Sequence, residues 1–270
     1  MKISLITACY NSEKTIRTAI ESVLSQRNVE VEYIVVDGGS KDGTVDIIKE
    51  YADKILNSQL PAPAFTFRWL SERDKGMYDA INKGIKMATG DIVGILNADD
   101  LFESDDTLAH IAACFNSADC VESQQIDALY ADIRFVKNDL KTTSRYYSAR
   151  HWKPWMLQWG KMPPHPSVYI RRELFGKYGL YKLGYDIAAD YELLIRYLRM
   201  AKLRTRYLNE CVVRMRMGGK STRGWQSFKT LNKEIVRGNR ENGYFCCFPM
   251  LLPKYLFKVF EFILPRLGVR

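Results

Sequence analysis

Acidic and amide side chains follow a short apolar segment near the middle of the chain. Residues 92–96 are apolar, and Asn97, Asp99 and Asp100 come directly after them. In an open α/β sheet, ligands bind in the crevice outside the carboxyl ends of the strands. Hard oxygen ligands suit Mg²⁺ or Mn²⁺, which usually bind together with substrate phosphates. The alternative is a plain turn, because Asn and Asp side chains hydrogen-bond their own backbone.

The composition is that of a globular protein with an anionic partner. The chain has 270 residues, of which 47% are hydrophobic and 26% charged, and its formal net charge is +9. Such a charge favours nucleic acid, nucleotide phosphates or an acidic membrane surface. The basic residues lie among apolar segments and no nucleic-acid module is recognisable, so we expect no nucleic-acid partner.

The chain carries signs of a cytoplasmic location. None of its six cysteines forms a C-x-x-C pair, and free thiols in a reducing compartment explain them most simply. The first residues predict a strand instead of a signal peptide, and no apolar run reaches the length of a membrane span. The first strand is followed by no G-x-G-x-x-G motif, which argues against a dehydrogenase.

Short apolar runs and amphipathic segments alternate over the first hundred residues. Strands are predicted at residues 3–8, 33–36, 67–70 and 92–96, with helices between them. Near-continuous apolar strands that alternate with helices indicate a parallel sheet covered on both faces. Polar residues follow all four strands and should meet along one rim of that sheet, at residues 7–11, 37–42, 71–75 and 97–100.

The pattern changes after residue 104. A helix around Leu108 is followed by predicted strands at 128–136, 142–147, 167–170 and 205–217. Helices are predicted over 188–200 and 225–236, and no internal repeat is present. Residues 244–270 are apolar with basic residues at their edges, and Lys254 and Lys258 share one helical stripe. This tail predicts a helix in a membrane interface; the alternative is a helix docked on the domain or in a homodimer.

Four motifs in order along the chain carry a family resemblance. They occupy residues 7–11, 37–44, 71–84 and 97–100. Together they resemble family 2 glycosyltransferases with the GT-A fold, over roughly residues 1–240. The stretch from Asp74 to Gly84 resembles the enzymes that build bacterial surface polysaccharides of the colanic-acid type.

The resemblance implies a fold class and a division of the chain. The fold is α/β, with a Rossmann-like, mostly parallel central sheet, a smaller mixed acceptor-side region and a C-terminal amphipathic tail. Residues 1–103 would bind the nucleotide-sugar donor, 104–243 would form the acceptor-side and catalytic half of the same domain, and 244–270 would be the tail.

The resemblance also implies a reaction. A sugar would pass, with inversion, from a UDP- or GDP-sugar to a saccharide or lipid-linked oligosaccharide acceptor. A divalent metal, Mn²⁺ or Mg²⁺, would bridge the diphosphate, and a carboxylate would deprotonate the acceptor hydroxyl. The protein would act at the inner face of the cell membrane as a peripheral protein.

The donor residues implied by the resemblance lie at the predicted rim. Asp37 would accept a hydrogen bond from the base, with a turn-forming role as the alternative. The same pocket would be lined by Thr7 and by Asn11, which is also a candidate helix cap. Glu13 lies near this rim, although a first-turn acid that favours the helix dipole is an equal interpretation. Asp74 and Lys75 would lie over the donor's sugar or ribose. The alternative for Lys75 is a solvated charge on the loop.

Asp99 is the predicted metal ligand. Asp100 comes second, as a ligand or a donor-sugar contact. Asn97 stands where the family often has Asp, and one charge fewer weakens a cation site. Metal dependence is therefore expected to be weaker than in relatives that carry the third carboxylate.

The base is expected in the second half of the chain. Asp190 is the predicted catalytic base, with helix capping as the alternative, and Glu192 is next. Ala189 stands where the family frequently has Glu. In relatives a His in the loop at His165 faces the acceptor. Lys220, in the Gly-rich stretch 218–222, would close over the diphosphate unless this stretch is a plain linker.

Three tryptophans are further candidates for contact with a ligand, and two other functions compete with sugar transfer. Trp152, Trp155 and Trp159 could stack on sugars, touch lipid or pack in the core, and the core is favoured at this spacing. One competing function is a metal-dependent nucleotidyltransferase, which should not need Asp190. Another is a nucleotide-binding scaffold of a polysaccharide assembly complex, with little activity of its own.

Overall fold

Strands and helices alternate through the first part of the chain, as the apolar runs predict. The computed structural model describes residues 1–57, 65–116, 125–217 and 224–255. The predicted loop at 61–63, Cys120, the stretch 218–222 with Lys220, and the tail beyond residue 255 lie outside these ranges. The first elements are β1 (Lys2–Cys9), α1 (Ile16–Leu24), β2 (Glu30–Asp37), α2 (Thr44–Leu56), β3 (Phe65–Ser71), α3 (Met77–Met87) and β4 (Ile92–Ile95).

The second part mixes short strands and helices. Its elements are β5 (Leu101–Phe102), α4 (Thr107–Asn116), β6 (Ala128–Val136), β7 (Thr143–Tyr147), β8 (Tyr169–Arg171), α5 (Glu173–Tyr178), α6 (Ala189–Leu194), β9 (Thr205–Arg216) and α7 (Gly224–Glu241). The helix predicted over 188–200 is α-helical only to Leu194 and continues as a π-helix over Ile195–Met200. Short 3₁₀ segments span Pro154–Trp159, His165–Ser167 and Phe248–Leu251.

One sheet runs through both parts. Its strand order is β3-β2-β1-β4-β8-β6-β9-β5, with β7 paired to β6. The strands β3, β2, β1 and β4 are parallel, whereas β8 runs antiparallel to β4 and to β6. The parallel part lies within the first hundred residues, where the sequence predicts a parallel sheet, and most of the mixed part comes from the residues that follow. The α/β fold class is therefore confirmed.

The core lies on both faces of this sheet, because side chains alternate along each strand. Ile6, Ile34 and Val36 face a cluster that includes α3, whereas Leu5 and Tyr33 face one that includes α1. Both sets are fully buried. Because both faces of these apolar strands are covered, the polar residues that follow them lie at the edge of the sheet where the strands end.

The described start of the tail packs on α7. Lys254 is buried, and its Nζ donates to Asn232 Oδ1 at 2.8 Å. The expectation that Lys254 points toward lipid phosphates is therefore wrong, because a buried amide holds its ammonium group. Among residues 1–57, 65–116, 125–217 and 224–255, no helix is long and apolar enough to cross a membrane. The five cysteines within these residues are free thiols.

Candidate active site

The ends of β1, β2 and β3 lie at one level, and a buried carboxylate ties them together. The strand register pairs Cys9 with Asp37 and Asp37 with Ser71. One oxygen of Asp37 accepts hydrogen bonds from the backbone N–H groups of Gly39 and Ser40, both at 3.0 Å, and from Ser71 Oγ at 2.7 Å. The other oxygen accepts from Ser40 Oγ. Asp37 is fully buried. These hydrogen bonds support the turn-forming role of Asp37. Direct contact between Asp37 and a nucleotide base does not fit, because the side chain has no exposed surface.

Thr7 also lies beneath the rim. It is fully buried; its Oγ1 donates to the carbonyl oxygen of Leu96 at 2.8 Å and accepts from Tyr33 OH at 3.1 Å. The expectation that Thr7 lines a pocket is wrong, because both functions of its hydroxyl are used inside the sheet. Its contact holds β1 against the residue that precedes Asn97.

Asn11 and Glu13 do lie on the exposed rim. The backbone N–H of Asn11 donates to Ser40 Oγ at 2.7 Å, and its Oδ1 accepts from the N–H of Lys41 at 2.9 Å. Glu13 Oε2 accepts from the N–H of Gly43 at 3.2 Å. Because α1 begins only at Ile16 and has no side-chain cap, the expected capping role of Asn11 is wrong. Both residues instead connect the loop after β1 to the loop after β2.

Asp74 leans over the loop after β2. It is half-buried, its Oδ1 accepts from the N–H of Gly76 at 2.8 Å, and a Cβ added at Gly38 would collide with its carboxylate. Only glycine at position 38 lets the two loops approach this closely. Lys75 is exposed, and its backbone N–H donates to Asp79 Oδ2 at 3.0 Å. The two predicted donor-binding loops therefore meet at Gly38 and Asp74.

The junction after β4 contains one buried and one accessible carboxylate. Asp100 is 1% exposed and accepts from Asn97 Nδ2 at 2.7 Å, while its Oδ1 has no partner within the described part of the chain. Burial, reinforced by the charge of Asp99, raises the pKa of Asp100 well above its ordinary value. Asp99 is half-buried, and its carbonyl oxygen accepts from Arg216 Nε at 3.0 Å. A donor-sugar contact by Asp100 does not fit this burial; the side chain instead holds Asn97.

A divalent ion fits this junction only with help from a substrate. The described ranges contain no group of three or more His, Cys, Asp and Glu side chains that could hold a metal. Asp99 is the carboxylate at the surface, Asn97 adds an amide, and Asp100 keeps an unpaired oxygen behind them. Mg²⁺ and Mn²⁺ commonly bind through one or two carboxylates plus substrate phosphates and water. The residues present suit such a site and do not suit an all-protein cage.

Asp190 lies in the first turn of α6, next to the N-terminal half of the chain. Its Oδ1 accepts from the backbone N–H of Tyr191 at 2.8 Å and from Tyr78 OH at 3.3 Å. The same hydroxyl lies 2.5 Å from the carbonyl oxygen of Ile187, so one phenolic proton serves both acceptors. Ala188 is the residue that flanks the helix, so the capping alternative for Asp190 is wrong. Burial raises the pKa of Asp190 although nearby His165 opposes it, as suits a general base.

His165 belongs to the same cluster. Its Nε2 lies 2.7 Å from Tyr181 OH, and the ring of Tyr181 stacks on Tyr78 with 5.7 Å between centroids. Burial lowers the pKa of His165, with the charge of Asp190 acting in the opposite direction. The pKa shift favours the neutral histidine, which lies beside Asp190, the predicted base.

Glu192 is a structural residue. It is fully buried, and its carboxylate bonds Arg196 and Lys182, each at 2.9 Å, and Asn242 at 3.1 Å. Burial alone raises the pKa of Glu192, but the hydrogen bonds from Arg196 and Lys182 outweigh it and lower the pKa. Its expected role as a second candidate base is wrong, because both oxygens are committed to these partners.

Glu234, which the sequence did not single out, positions the start of α6. Its carboxylate accepts from the backbone N–H groups of Asp186, Ile187 and Ala188 at 2.6, 2.9 and 2.8 Å. These are the orphan donors that precede a helix, and a side chain from α7 satisfies them. The apolar periodicity of α7 carries no sign of this contact, since the partners are more than forty residues away.

A small cavity lies beside this cluster. It has a volume of about 70 Å³ and lies between residues 75–79 and 183–186. Its walls include Lys75 and Tyr78 from the donor side and Tyr185 from the loop before α6. A larger cavity of about 270 Å³, between α1, β5 and Arg214, contains none of the predicted site residues. The smaller cavity thus lies between the predicted donor loop and the loop before α6.

Comparison with known proteins identifies the family to which this chain belongs. The model of glycosyl transferase family 2 matches residues 4–179. A PGL/p-HBAD biosynthesis glycosyltransferase of Mycobacterium bovis is 30% identical over 211 residues, which are 77% of this chain and 74% of the relative. The chain belongs to glycosyl transferase family 2. It is a glycosyltransferase.

Solved structures with bound donors have the same fold. S. aureus TarS 1-349 in complex with UDP-GlcNAc matches with a TM-score of 0.62 at 20% identity, over 88% of this chain and 66% of that one. A mannosyltransferase from Pyrobaculum calidifontis in complex with GDP-Man and Mn²⁺ matches with a TM-score of 0.63 at 21% identity, over 88% of this chain and 63% of that one. This chain thus spans about two thirds of the length of these solved chains. The GT-A fold predicted from the sequence is confirmed.

Proposed function

We propose that this enzyme transfers a sugar, with inversion, from a UDP- or GDP-sugar to a hydroxyl of a saccharide acceptor. The observation that carries the proposal is the Asp190 carboxylate, which has a raised pKa and accepts a hydrogen bond from Tyr78, a wall residue of the cavity between the predicted donor loop and the loop before α6. Neighbours of the same fold that bind UDP-GlcNAc or GDP-Man support the donor class.

The chemical step follows from this geometry. The acceptor hydroxyl passes its proton to Asp190, and its oxygen attacks the anomeric carbon from the face opposite the diphosphate. The new glycosidic bond forms while the bond to the diphosphate breaks, and that electron pair leaves with the nucleoside diphosphate. Tyr78 and Glu234 hold the base and its helix in place, and neutral His165 leaves the proton on Asp190.

The donor diphosphate would lie across the rim, near Asn11, Asp74 and Asp99. Asp99, with Asn97 beside it, would hold Mn²⁺ or Mg²⁺ together with the diphosphate. A bound cation supplies positive charge that offsets the charge developing on the leaving group. Lys75 is exposed on the donor loop and would add a further positive charge there.

The acceptor we propose is lipid-linked, in the assembly of a bacterial surface polysaccharide at the inner face of the membrane. The motif from Asp74 to Gly84 and the apolar, basic tail support this proposal. The nucleotidyltransferase alternative is not retained, because the chain belongs to a glycosyltransferase family. A catalytically weak scaffold remains a distinct outcome of the experiment below.

A panel of UDP- and GDP-sugars, each with Mn²⁺, Mg²⁺ or a chelator, tests the proposal. Binding is measured by calorimetry and hydrolysis by release of the nucleoside diphosphate. We expect one donor to bind and to be hydrolysed slowly, faster with a cation. Binding without hydrolysis, with or without a cation, would indicate the scaffold, and neither binding nor hydrolysis would contradict the transferase proposal.

A further inference from the structure

Large aromatic side chains are exposed on one side of the molecule. We call this set the aromatic face; its members are Trp155, Trp159, Trp225, Phe245 and Phe248, which are 54%, 40%, 68%, 70% and 48% exposed. Scattered exposed apolar residues are normal, whereas a contiguous group marks an interaction surface. Trp152, from the same aromatic stretch, is in contrast buried in the core.

Contacts between their segments place these residues on one continuous surface. Gln158 Nε2 donates to the carbonyl oxygen of Phe245 at 2.8 Å, which joins the 3₁₀ segment Pro154–Trp159 to the chain after α7. The ring of Phe228 stacks on Trp225 at 5.0 Å and meets Phe248 edge-on at 6.3 Å. Three separate stretches of sequence therefore contribute to one face.

The face is also cationic. The segments that carry it, 150–161, 224–233 and 242–255, contain no Asp or Glu. Their basic residues outside the core are Arg150, Lys153, Lys161, Lys229 and Lys233, whereas Lys254 is buried against Asn232. Of these, Arg150, Lys153, Lys229 and Lys233 are exposed. Positive charge with Trp and Phe on one surface is the combination that binds anionic lipid headgroups.

We propose that the aromatic face docks on an anionic lipid bilayer. Lysine is depleted at protein–protein interfaces, whereas Trp and Lys anchor proteins at membrane surfaces. The sequence beyond residue 255, which lies outside the described ranges, is apolar with Lys258, Arg266, Arg270 and one acid, Glu261, a composition that also suits a lipid surface. This inference goes beyond the proposed transfer reaction, and its test needs no turnover.

The position of the face relates it to the catalytic base. Asp190 lies in α6, which continues as the π-helix Ile195–Met200. In that π-helix the side chain of Arg199 contacts the carbonyl oxygen of Trp155 at 3.4 Å and Gln158 Oε1 at 2.7 Å. Nine residues of helix separate the two, a rise of roughly 13 Å. A protein docked by this face would therefore have Asp190 one helix length, at most roughly 13 Å along the helix axis, from the segment that carries Trp155.

Flotation of the full chain with vesicles tests the docking. We expect it to float with vesicles of phosphatidylcholine and phosphatidylglycerol at 7:3 and at least tenfold less with phosphatidylcholine alone, a range typical of electrostatic lipid binding of about this many basic residues. Trp155→Ser with Trp159→Ser and Trp225→Ser should abolish flotation, as should Lys229→Glu with Lys233→Glu. Leu56→Ser and the pair Lys49→Glu with Lys86→Glu change exposed residues on other surfaces and should float like the wild type.

Fluorescence quenching keeps the proposal testable if the serine variant is unstable. Brominated lipids should quench the wild-type tryptophans, and replacing Trp155, Trp159 and Trp225 by Phe should remove the quenching while flotation persists. Flotation of the serine and glutamate variants at the wild-type level would overturn the proposal. Failure of the wild-type chain to bind vesicles would also overturn it. So would a wild-type homodimer that is lost in the serine variant, if neither protein binds lipid.

Discussion

The hydroxyl of Tyr78 lies 3.3 Å from Oδ1 of Asp190 and connects two parts of the chain that are 112 residues apart. Tyr78 follows Gly76 and the predicted donor loop, at the start of α3. Asp190 is the proposed base at the start of α6. A shift of the predicted donor loop would therefore move the Tyr78 hydroxyl that donates to Asp190. This link makes Tyr78 a positioning residue.

Replacing Tyr78 by Phe should change the pH dependence of transfer. The Tyr78 hydrogen bond lowers the pKa of Asp190, against the larger effect of burial, which raises it. Without the hydroxyl the pKa of Asp190 rises further, so the acidic limb of kcat/KM moves to higher pH. We expect a loss in kcat of about tenfold at pH 7, since a displaced group of this kind costs up to about 10²-fold.

The control for this variant is Tyr51→Phe, which removes a phenol that bonds Glu21 on the other side of the sheet. Its pH profile should superimpose on that of the wild type. Donor affinity by calorimetry should be the same for all three proteins. An unshifted acidic limb in Tyr78→Phe would show that the hydroxyl does not act on the base.

Glu234→Gln should lower kcat with little change in donor affinity. An amide at this position offers one acceptor oxygen and an NH₂ group to three backbone N–H donors, so the start of α6 must move. We expect kcat to fall roughly 10- to 100-fold, in line with small displacements of catalytic groups. Glu241→Gln, also on α7 but bonded to Arg237 and Lys182, is the matched control. Equal losses in both variants would point to a general effect of α7 stability.

Asn97→Asp should destabilise the protein before any cation is added. Asn97 Nδ2 donates to Asp100 at 2.7 Å, so the substitution places two carboxyl groups at hydrogen-bond distance in a buried site. We expect a loss of about 1–3 kcal/mol at pH 8. The loss should shrink at pH 5.5, where a proton is more easily shared, and with Mn²⁺ and a nucleoside diphosphate.

Thermal unfolding measures this effect, with Asn28→Asp as the control. Asn28 faces Asp106 in a similar pair at 3.5 Å, but this pair is exposed to solvent, where the charges are screened. Equal melting temperatures for Asn97→Asp and the wild type would show that the two side chains do not meet as described.

Glu192→Gln should destabilise the fold without removing the base. The substitution leaves Arg196 and Lys182 next to a neutral buried amide, and breaking a buried ion pair costs about 3–5 kcal/mol. The pKa of Glu192 is lowered from 4.5 in the folded protein, so its stabilisation is present above that value and disappears as the pH falls through the folded pKa.

The free energy of unfolding of the Glu192→Gln variant and the wild type should therefore converge in acid. Denaturant titrations at pH 7 and at pH 3.5 measure this. Glu50→Gln, which removes an exposed partner of Arg17, should cost less. A constant difference over this pH range would contradict the assignment of Glu192 as an ionised structural group.

The strand ends and their common rim could be predicted from sequence because they follow from local patterns. Apolar segments of four to six residues define β1, β2 and β4, and parallel pairing then aligns Cys9, Asp37 and Ser71. Which polar side chains face the solvent could not be predicted. Asp37, Thr7 and Asp100 are buried because partners from distant segments, Ser71, Tyr33 and Asn97 among them, satisfy them.

The surroundings of Asp190 were likewise beyond sequence patterns. A helix N-terminus alone lowers the pKa of an acid, and only packing against α3 and the loop of His165 reverses this effect. From the sequence, Glu234 and Tyr78 are predicted to be ordinary residues of amphipathic helices. Their roles depend on long-range contacts that a single sequence does not record.

The central claim is that Asp190 is the base of a nucleotide-sugar transfer. The most direct test compares Asp190→Asn with the wild type for turnover of the donor found in the panel, with Asp53→Asn, an exposed aspartate of α2, as control. The account predicts that turnover falls by about 10²- to 10⁴-fold, as for loss of a general base, while the affinity for the nucleoside diphosphate stays within about threefold. Turnover of Asp190→Asn near the wild-type rate would contradict it.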